Sequence, residues 1–427
     1  MPVKIVVINI VSLNPGDAAI LQGSLEILRS AFGSDLQVTV FDRDGAAAAR
    51  YYPWAEFRPS FFDLRDRGGM TQLAERKGWT HHLYRAERAR LHAAGTLLAR
   101  GLPGPARLFA SARECAALAT WLDADLIISN GGTYLVPHYN LLRPILNCEL
   151  ALSLRRPLVF FPQSLGPFDS TPYRDRLRHL FCRAARIVVR DELSAEHLRA
   201  LQIPEELIGL SADAAFALAR PAGTWSSRSG GERPRVAVSV REWAHYRNGS
   251  GGGEQEGYLA GIAAAVTHLV RRHGADVTFL STCQGMPEYW IDDSVCARQI
   301  AGRLPPDVAP HVRVDAAFRD PRELMGELAA YDAIIATRMH AAILALCAGL
   351  PVLPVAYEFK TRELFRALQL EEWVTDIENV EPASFVARVD EFMARIETLR
   401  NTARHGTAER HARTRELAAA LRELVPG

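Results

Sequence analysis

"YDAIIATRMHAAILALCAGLPV", Tyr331 to Val352, decides how this chain reads. Its first apolar run, ending near Ala336, has the length of a buried strand. Gly349 then closes a helix, and Pro351 starts the next strand. Thr337 is placed to cap that helix. Strand, helix and strand in direct succession make the repeating unit of a parallel sheet covered by helices. Arg338 and His340 then fall in the helix's first turn, where cations oppose the positive end of the helix dipole. The arrangement becomes favourable if an anion docks on the exposed N–H groups. Two readings stand at this point: Arg338 pairs with a carboxylate such as Asp332 beside a partly buried, satisfied His340, or both side chains serve a bound anion.

The same alternation recurs on both sides of this segment. "KIVVINIVSLNPGDAAILQGSLEILRSAF" (4–32) is a strand, a Pro-Gly turn and a helix expected from about Ala18, with Asp17 as its N-cap or, less simply, a base. "LQVTVFD", "ADLIISNGGTYL", "PLVFFPQSLGPF" and "ARIVVRDELSAEHLRAL" continue the pattern. The Ser-, Gly- and Pro-rich "RPAGTWSSRSGGERP" (220–234) has linker composition. The reading is therefore α/β, with two Rossmann-like domains expected to face a cleft. The N-terminal domain is placed at 1–222, a linker at 223–234, the second domain at 235–385, and C-terminal helices packing back on the first domain at 386–427. Residues 65–113 are rich in arginine and read as a helical insertion in the first domain, either a solvated amphipathic face or a lid toward an anionic or lipid-linked molecule.

A length of 427 residues suits two or three domains. The net charge of +1 gives no reason to expect general binding to nucleic acid, whose footprint is a strongly basic face, so any anion recognition must be local. The six cysteines show neither a C-x-x-C pair nor zinc-ligand spacing, which fits a reducing compartment. "MPVKIVVINIV" reads as a first strand rather than a signal peptide, and no apolar run approaches the ~20 residues of a membrane span. The cytoplasm, or the inner face of the membrane with at most peripheral contact, is the expected location.

Ligand-binding residues of open α/β sheets sit at the carboxyl ends of the strands. Arg241 in "VAVSVREW" occupies such an end and precedes a glycine-rich loop without the P-loop pattern. It reads equally as a ligand group or a surface arginine. Gly131, Gly132 and Thr133 in "SNGGTYL" follow another strand, as do Gln163 and Ser164 in "FPQSLGPF". Asp292 and Asp293 are accounted for by helix capping, and no constellation of the sequence implies a metal. The G-x-G-x-x-G, G-x-S-x-G and H-E-x-x-H patterns are absent, which disfavours bound dinucleotides, serine hydrolysis and zinc proteolysis.

Taken in order, "NPGDAAIL", "SNGGTYL", "PQSLGPF", "VVRDELSAEHL", "SADAAFAL", "VAVSVR" and "ATRMHAAILALCAGLPVLPVAYEFKT" resemble the polysaccharide pyruvyl transferase family. The resemblance implies a GT-B-like architecture and transfer of pyruvate from phosphoenolpyruvate, a co-substrate rather than a cofactor, to saccharide hydroxyls. A cyclic ketal and free phosphate would be the products. It implies further that Arg241 and Arg338 hold the donor's carboxylate and phosphate, that Met339 lines its pocket and that His340 is the catalytic acid. Lys360 would add positive charge, unless it is an exposed helical lysine. Asn14, Asp17, Gly131, Gly132, Thr133 and Gln163 are the candidates for the acceptor side, where a saccharide or lipid-linked saccharide would bind. The competing readings are a glycosyltransferase of the same architecture using a nucleotide sugar, and a non-catalytic module that binds sugar phosphates.

Overall fold

The computed structural model describes residues 2–62, 79–137, 139–220, 233–243, 252–284 and 286–425. Most of the expected linker, the glycine-rich segment 244–251 and residues 65–78 of the expected insertion lie outside the described residues. The chain divides into two compact units, the first made of residues 1–12, 24–214 and 414–427 and the second of residues 13–23 and 215–413.

The first unit carries a parallel seven-stranded sheet of β1 (Val3–Ile10), β2 (Leu36–Asp42), β3 (Glu56–Pro59), β4 (Leu126–Ser129), β5 (Leu158–Gln163), β6 (Arg186–Val189) and β7 (Ile208–Leu210). Its strand order, β3-β2-β1-β4-β5-β6-β7, reverses direction between β1 and β4. Strands β4 and β5 are buried along their whole length, as continuous apolar runs covered on both faces must be.

Within the expected insertion, the helix Thr80–Ala99 is followed by a short turn of helix at Pro103–Ala106 and the helix Ala112–Leu122. Tyr84, Leu91, Ala94, Ala106 and Ala110 join the same buried cluster as Ile127, Phe160 and Trp121, so these residues belong to the unit's own core. The basic character of the segment is partly internal, because Arg90 is bound by Glu87 and Glu114. Near the C-terminus, Arg422 donates from Nε to the Ala31 carbonyl at 2.9 Å.

The second unit repeats the plan with six parallel strands: β8 (Arg235–Ser239), β9 (Asp276–Leu280), β10 (Val312–Asp315), β11 (Ala333–Ala336), β12 (Val352–Ala356) and β13 (Thr375–Asp376). The order β10-β9-β8-β11-β12-β13 reverses between β8 and β11. Both units are thus Rossmann-like, and in each the crevice at the reversal is where such sheets bind ligands. No helix among the described residues is long and apolar enough to cross a membrane.

The helix of the opening segment spans Met339–Cys347, with every residue but His340 buried. It is apolar nearly all round because it is enclosed nearly all round. Its exit is a Schellman motif: Gly349 has φ 85°, its N–H bonds Leu346 O at 2.9 Å, and the Leu350 N–H reaches Ala345 O at 3.0 Å. Its entry differs from the sequence reading. Arg338 holds the cap position in extended backbone without a side-chain cap, while the Thr337 hydroxyl is taken by Tyr258 OH at 2.9 Å. The first helix likewise starts earlier than expected, spanning Pro15–Phe32. Asn14 precedes it and accepts from the Gly16 N–H at 2.9 Å, so Asp17 lies inside the first turn and is not the cap. Proline suits the first helical position because it has no N–H to leave unsatisfied there.

Candidate active site

Strands β8 and β11 are hydrogen-bonded neighbours, with Ser239 aligned on Ala336. Arg241 and Arg338 each come two residues later. The topology therefore brings two guanidinium-bearing residues to the same level at the reversal point of the second sheet. Ladder pairing carries on one residue beyond the strands, with Thr337 N–H donating to Ser239 O at 2.9 Å.

Arg338 is nearly buried and forms a fork with Asp293, Nε lying 3.0 and 3.2 Å from the two carboxylate oxygens and Nη2 2.5 Å from Oδ1. Burial opposes the charge, but the adjacent carboxylate outweighs it and raises the Arg338 pKa further. The partner is Asp293 and not Asp332, whose carboxylate accepts from the Arg235 N–H at 2.8 Å. The two neighbouring aspartates thus divide their work. Asp292 caps the helix Asp293–Ala301 by accepting from Ser294 N–H, and Asp293 turns inward, also accepting from Cys283 N–H at 3.1 Å.

Arg241 is 2% exposed and so is not a surface arginine. Its guanidinium carbon lies 3.9 Å from the centroid of the Tyr357 ring, a close cation–π contact just beyond β12. Lys360 stands near the same ring, Nζ 5.7 Å from its centroid, and pairs with Glu358 at 2.7 Å. At 13% side-chain exposure Lys360 is not a free surface lysine. Met339 is buried at the head of the helix.

His340 follows Met339, and a methyl group built on Gly16 would lie 2.5 Å from its Nδ1. The turn that begins the helix Pro15–Phe32 therefore meets the imidazole closely enough to require glycine. This ties "NPGD" to the second unit, to which residues 13–23 belong. Two thiols flank the group without nucleophilic character: burial pushes Cys283 up to about 12 even though Arg338 pulls the other way, and Cys296 up to about 12 as well.

The remaining candidates lie in the first unit and are engaged in its own framework. The Gln163 amide donates to Asn130 O at 2.9 Å and to Tyr134 OH at 2.7 Å. Thr133 accepts at 2.5 Å from Arg190, which is itself ion-paired with Asp213 in the interior. Gly132, at φ 135°, bonds through its carbonyl to Ser164 N–H at 2.9 Å, and the Gly131 carbonyl accepts from Asn130 at 3.3 Å. These residues shape the end of β4 and β5, although the side-chain oxygens of Gln163 and Asn130 are buried without a hydrogen-bond partner.

Sequence reading missed Asp293 as the arginine's anchor, Tyr357 as the platform under Arg241, and the approach of Gly16 to His340. All three depend on contacts between distant segments. It also missed a group elsewhere in the second unit, where His268 and His273 converge on Asp390.

Comparison with known proteins adds a second line of observation. A family model described as polysaccharide pyruvyl transferase matches residues 14–358. The amylovoran biosynthesis protein AmsJ of Erwinia amylovora is 27% identical over 274 residues, 62% of this chain and 65% of that protein's length. Among solved structures, Anabaena Alr3699/HepE in complex with UDP-glucose superposes with a TM-score of 0.55 at 14% identity, covering 98% of each chain. A UDP-N-acetylglucosamine 2-epimerase of Listeria monocytogenes, described as putative, gives a TM-score of 0.55 at 12% identity over 98% of this chain and 96% of that one. At such identities the structural likeness speaks to the GT-B-like fold.

Proposed function

Because this chain belongs to the polysaccharide pyruvyl transferase family, we propose that it transfers pyruvate from phosphoenolpyruvate to hydroxyls of a saccharide or glycoconjugate, forming a cyclic ketal and releasing phosphate. The observation that carries the reading is the placement of Arg241 and Arg338 at matching positions beyond paired strands, with His340 two residues further on. Phosphoenolpyruvate concentrates a carboxylate and a phosphate on three carbons, and guanidinium forks suit both groups. Asp293 occupies the Nε–Nη2 edge of Arg338 and Tyr357 lies against Arg241, so both guanidinium groups are oriented before a donor arrives.

The chemistry follows from the donor. His340 gives a proton to the methylene carbon of the enol, and the adjacent carbon becomes the electrophile. One sugar hydroxyl adds there and its proton restores the imidazolium; phosphate then leaves with its bonding electron pair, and a second hydroxyl closes the ketal as its proton passes to the departing phosphate. General acid catalysis of this kind contributes roughly 10²–10⁴-fold. The helix N-terminus behind Met339 supplies N–H groups for the departing anion. On this reading no cofactor or metal takes part. The acceptor is a saccharide, free or lipid-linked, and Asn14 and Asp17 are the acceptor-side residues nearest in sequence to the Gly16 contact with His340.

The test is a phosphate-release assay with phosphoenolpyruvate and a panel of saccharide acceptors, followed by phosphorus NMR. Acceptor-dependent inorganic phosphate together with a ketal carbon in the product supports the proposal. Release of a nucleoside diphosphate from a nucleotide sugar, with phosphoenolpyruvate untouched, replaces it with glycosyl transfer.

A further inference from the structure

We propose that His268, His273 and Asp390 form a binding site for a divalent transition-metal ion of the zinc class, separate from the residues assigned to pyruvyl transfer. The two histidines lie in the last turns of the helix Gly252–His273, and Asp390 lies on the helix Pro382–Ala394. His268 Nε2 and His273 Nε2 are each 2.7 Å from the same oxygen, Asp390 Oδ1. All three ligand atoms fall within 4.8 Å of one another.

The charged neighbours have partners of their own. Arg271 is paired with Asp307 at 2.8 Å, and Arg388 and Arg395 with Glu391 at 3.1 and 3.5 Å. Among the described residues, the hydrogen bonds of the Asp390 carboxylate are those to the two imidazoles.

Two nitrogens and one oxygen make a donor set for zinc, cobalt, nickel or copper rather than magnesium or calcium, which prefer oxygen throughout. Bond lengths of about 2.0–2.2 Å and tetrahedral angles put donor atoms roughly 3.4 Å apart. The present contacts must therefore open by less than an ångström. The side chains are free enough to do so, being 23%, 23% and 47% exposed, and that exposure admits water to the remaining coordination position. On binding, each imidazole gives up the Nε2 proton that it donates to Asp390 and carries its remaining proton on Nδ1, so that Nε2 offers a lone pair to the ion, and the carboxylate exchanges two hydrogen bonds for one metal bond. The ion would clasp the end of one helix to the middle of another. This lies toward the opposite end of the helix Gly252–His273 from Gln255, which accepts from the Trp243 N–H at 3.0 Å, about 20–27 Å away along the helix axis.

The experiment uses the full chain, stripped with a chelator and dialysed, then titrated with Co²⁺ by visible absorption and with Zn²⁺ by calorimetry. One equivalent per chain, the bands of four-coordinate Co²⁺ and a Zn²⁺-dependent rise in melting temperature are expected. His268→Gln and His273→Gln should each weaken binding by at least about a hundredfold, and His340→Ala should leave it unchanged. Absence of stoichiometric binding by the wild-type chain, or equal binding by a His268→Gln/His273→Gln double variant, overturns the proposal. Imidazole signals of the wild-type chain give a readout independent of variant folding: His268 and His273 should be the ones broadened by substoichiometric Co²⁺, and their remaining sharp overturns it too.

Discussion

Asp293 grips Arg338 through both carboxylate oxygens, and each partner is shielded from water, with 2% and 12% side-chain exposure respectively. Removing the acid leaves a buried guanidinium without its counter-charge. Breaking a buried pair in this way costs roughly 3–5 kcal/mol. Asp293→Ala is expected to lower unfolding stability by that order in urea titration, whereas the exposed neighbour Arg298→Ala should change it little.

His340→Ala should keep donor affinity and lose turnover by about 10²–10⁴-fold, the usual contribution of a general acid. Arg338→Ala should weaken donor binding itself. Calorimetric titration with phosphoenolpyruvate, set beside phosphate release, separates the two. Normal turnover by His340→Ala would remove the acid from the mechanism.

Gly16→Ala tests the approach of the "NPGD" turn to the imidazole. The added carbon would sit 2.5 Å from His340 Nδ1, closer than any tolerated contact, so the ring must shift. Turnover is expected to fall at least about tenfold, since small misplacements of a reacting group cost up to about a hundredfold. Donor affinity should hold, because the arginines do not move. Steady-state kinetics would show the loss in kcat.

Tyr357→Leu removes the ring beneath Arg241 and with it a cation–π contact worth roughly 0.5–2 kcal/mol. The expected result is a several-fold higher KM for phosphoenolpyruvate with an intact fold by circular dichroism. Tyr357→Phe, which keeps the ring face, should behave as wild type.

A pH prediction concerns the first unit. Burial alone would raise the Glu114 pKa, but hydrogen bonds from Arg90 and Ser111 overcome it and bring the value from 4.5 to about 2. A depressed carboxylate stabilises the fold fully above its unfolded pKa and loses that contribution as pH falls through the folded one. The stabilisation should therefore be complete above about 4.5 and vanish toward about 2. In thermal melts across this window, Glu114→Gln should flatten the wild-type decline.

What could be read in advance was the repeating strand–helix pattern, because central parallel strands such as AIIA and VLPVA are buried on both faces and show as unbroken apolar runs. Arg241, Arg338 and His340 were legible for a related reason: polar residues just after such runs fall at strand ends. Asp293 was hidden because an aspartate pair before a helix has a complete local explanation, which only Asp292 fulfils. The entry to the helix Met339–Cys347 was misread for the opposite reason. Thr337 has the local chemistry of a cap, but its hydroxyl is claimed by Tyr258, 79 positions away. The metal-type triad was invisible because Asp390 lies 117 positions from His273.

The alignment of Ser239 with Ala336 has a consequence for substrate choice. Neighbouring strands run about 4.8 Å apart, so the main-chain anchors of the two arginines inherit a gauge fixed by the sheet itself. On the proposed function, a donor whose two charges lie a few bonds apart suits anchors that start so close together.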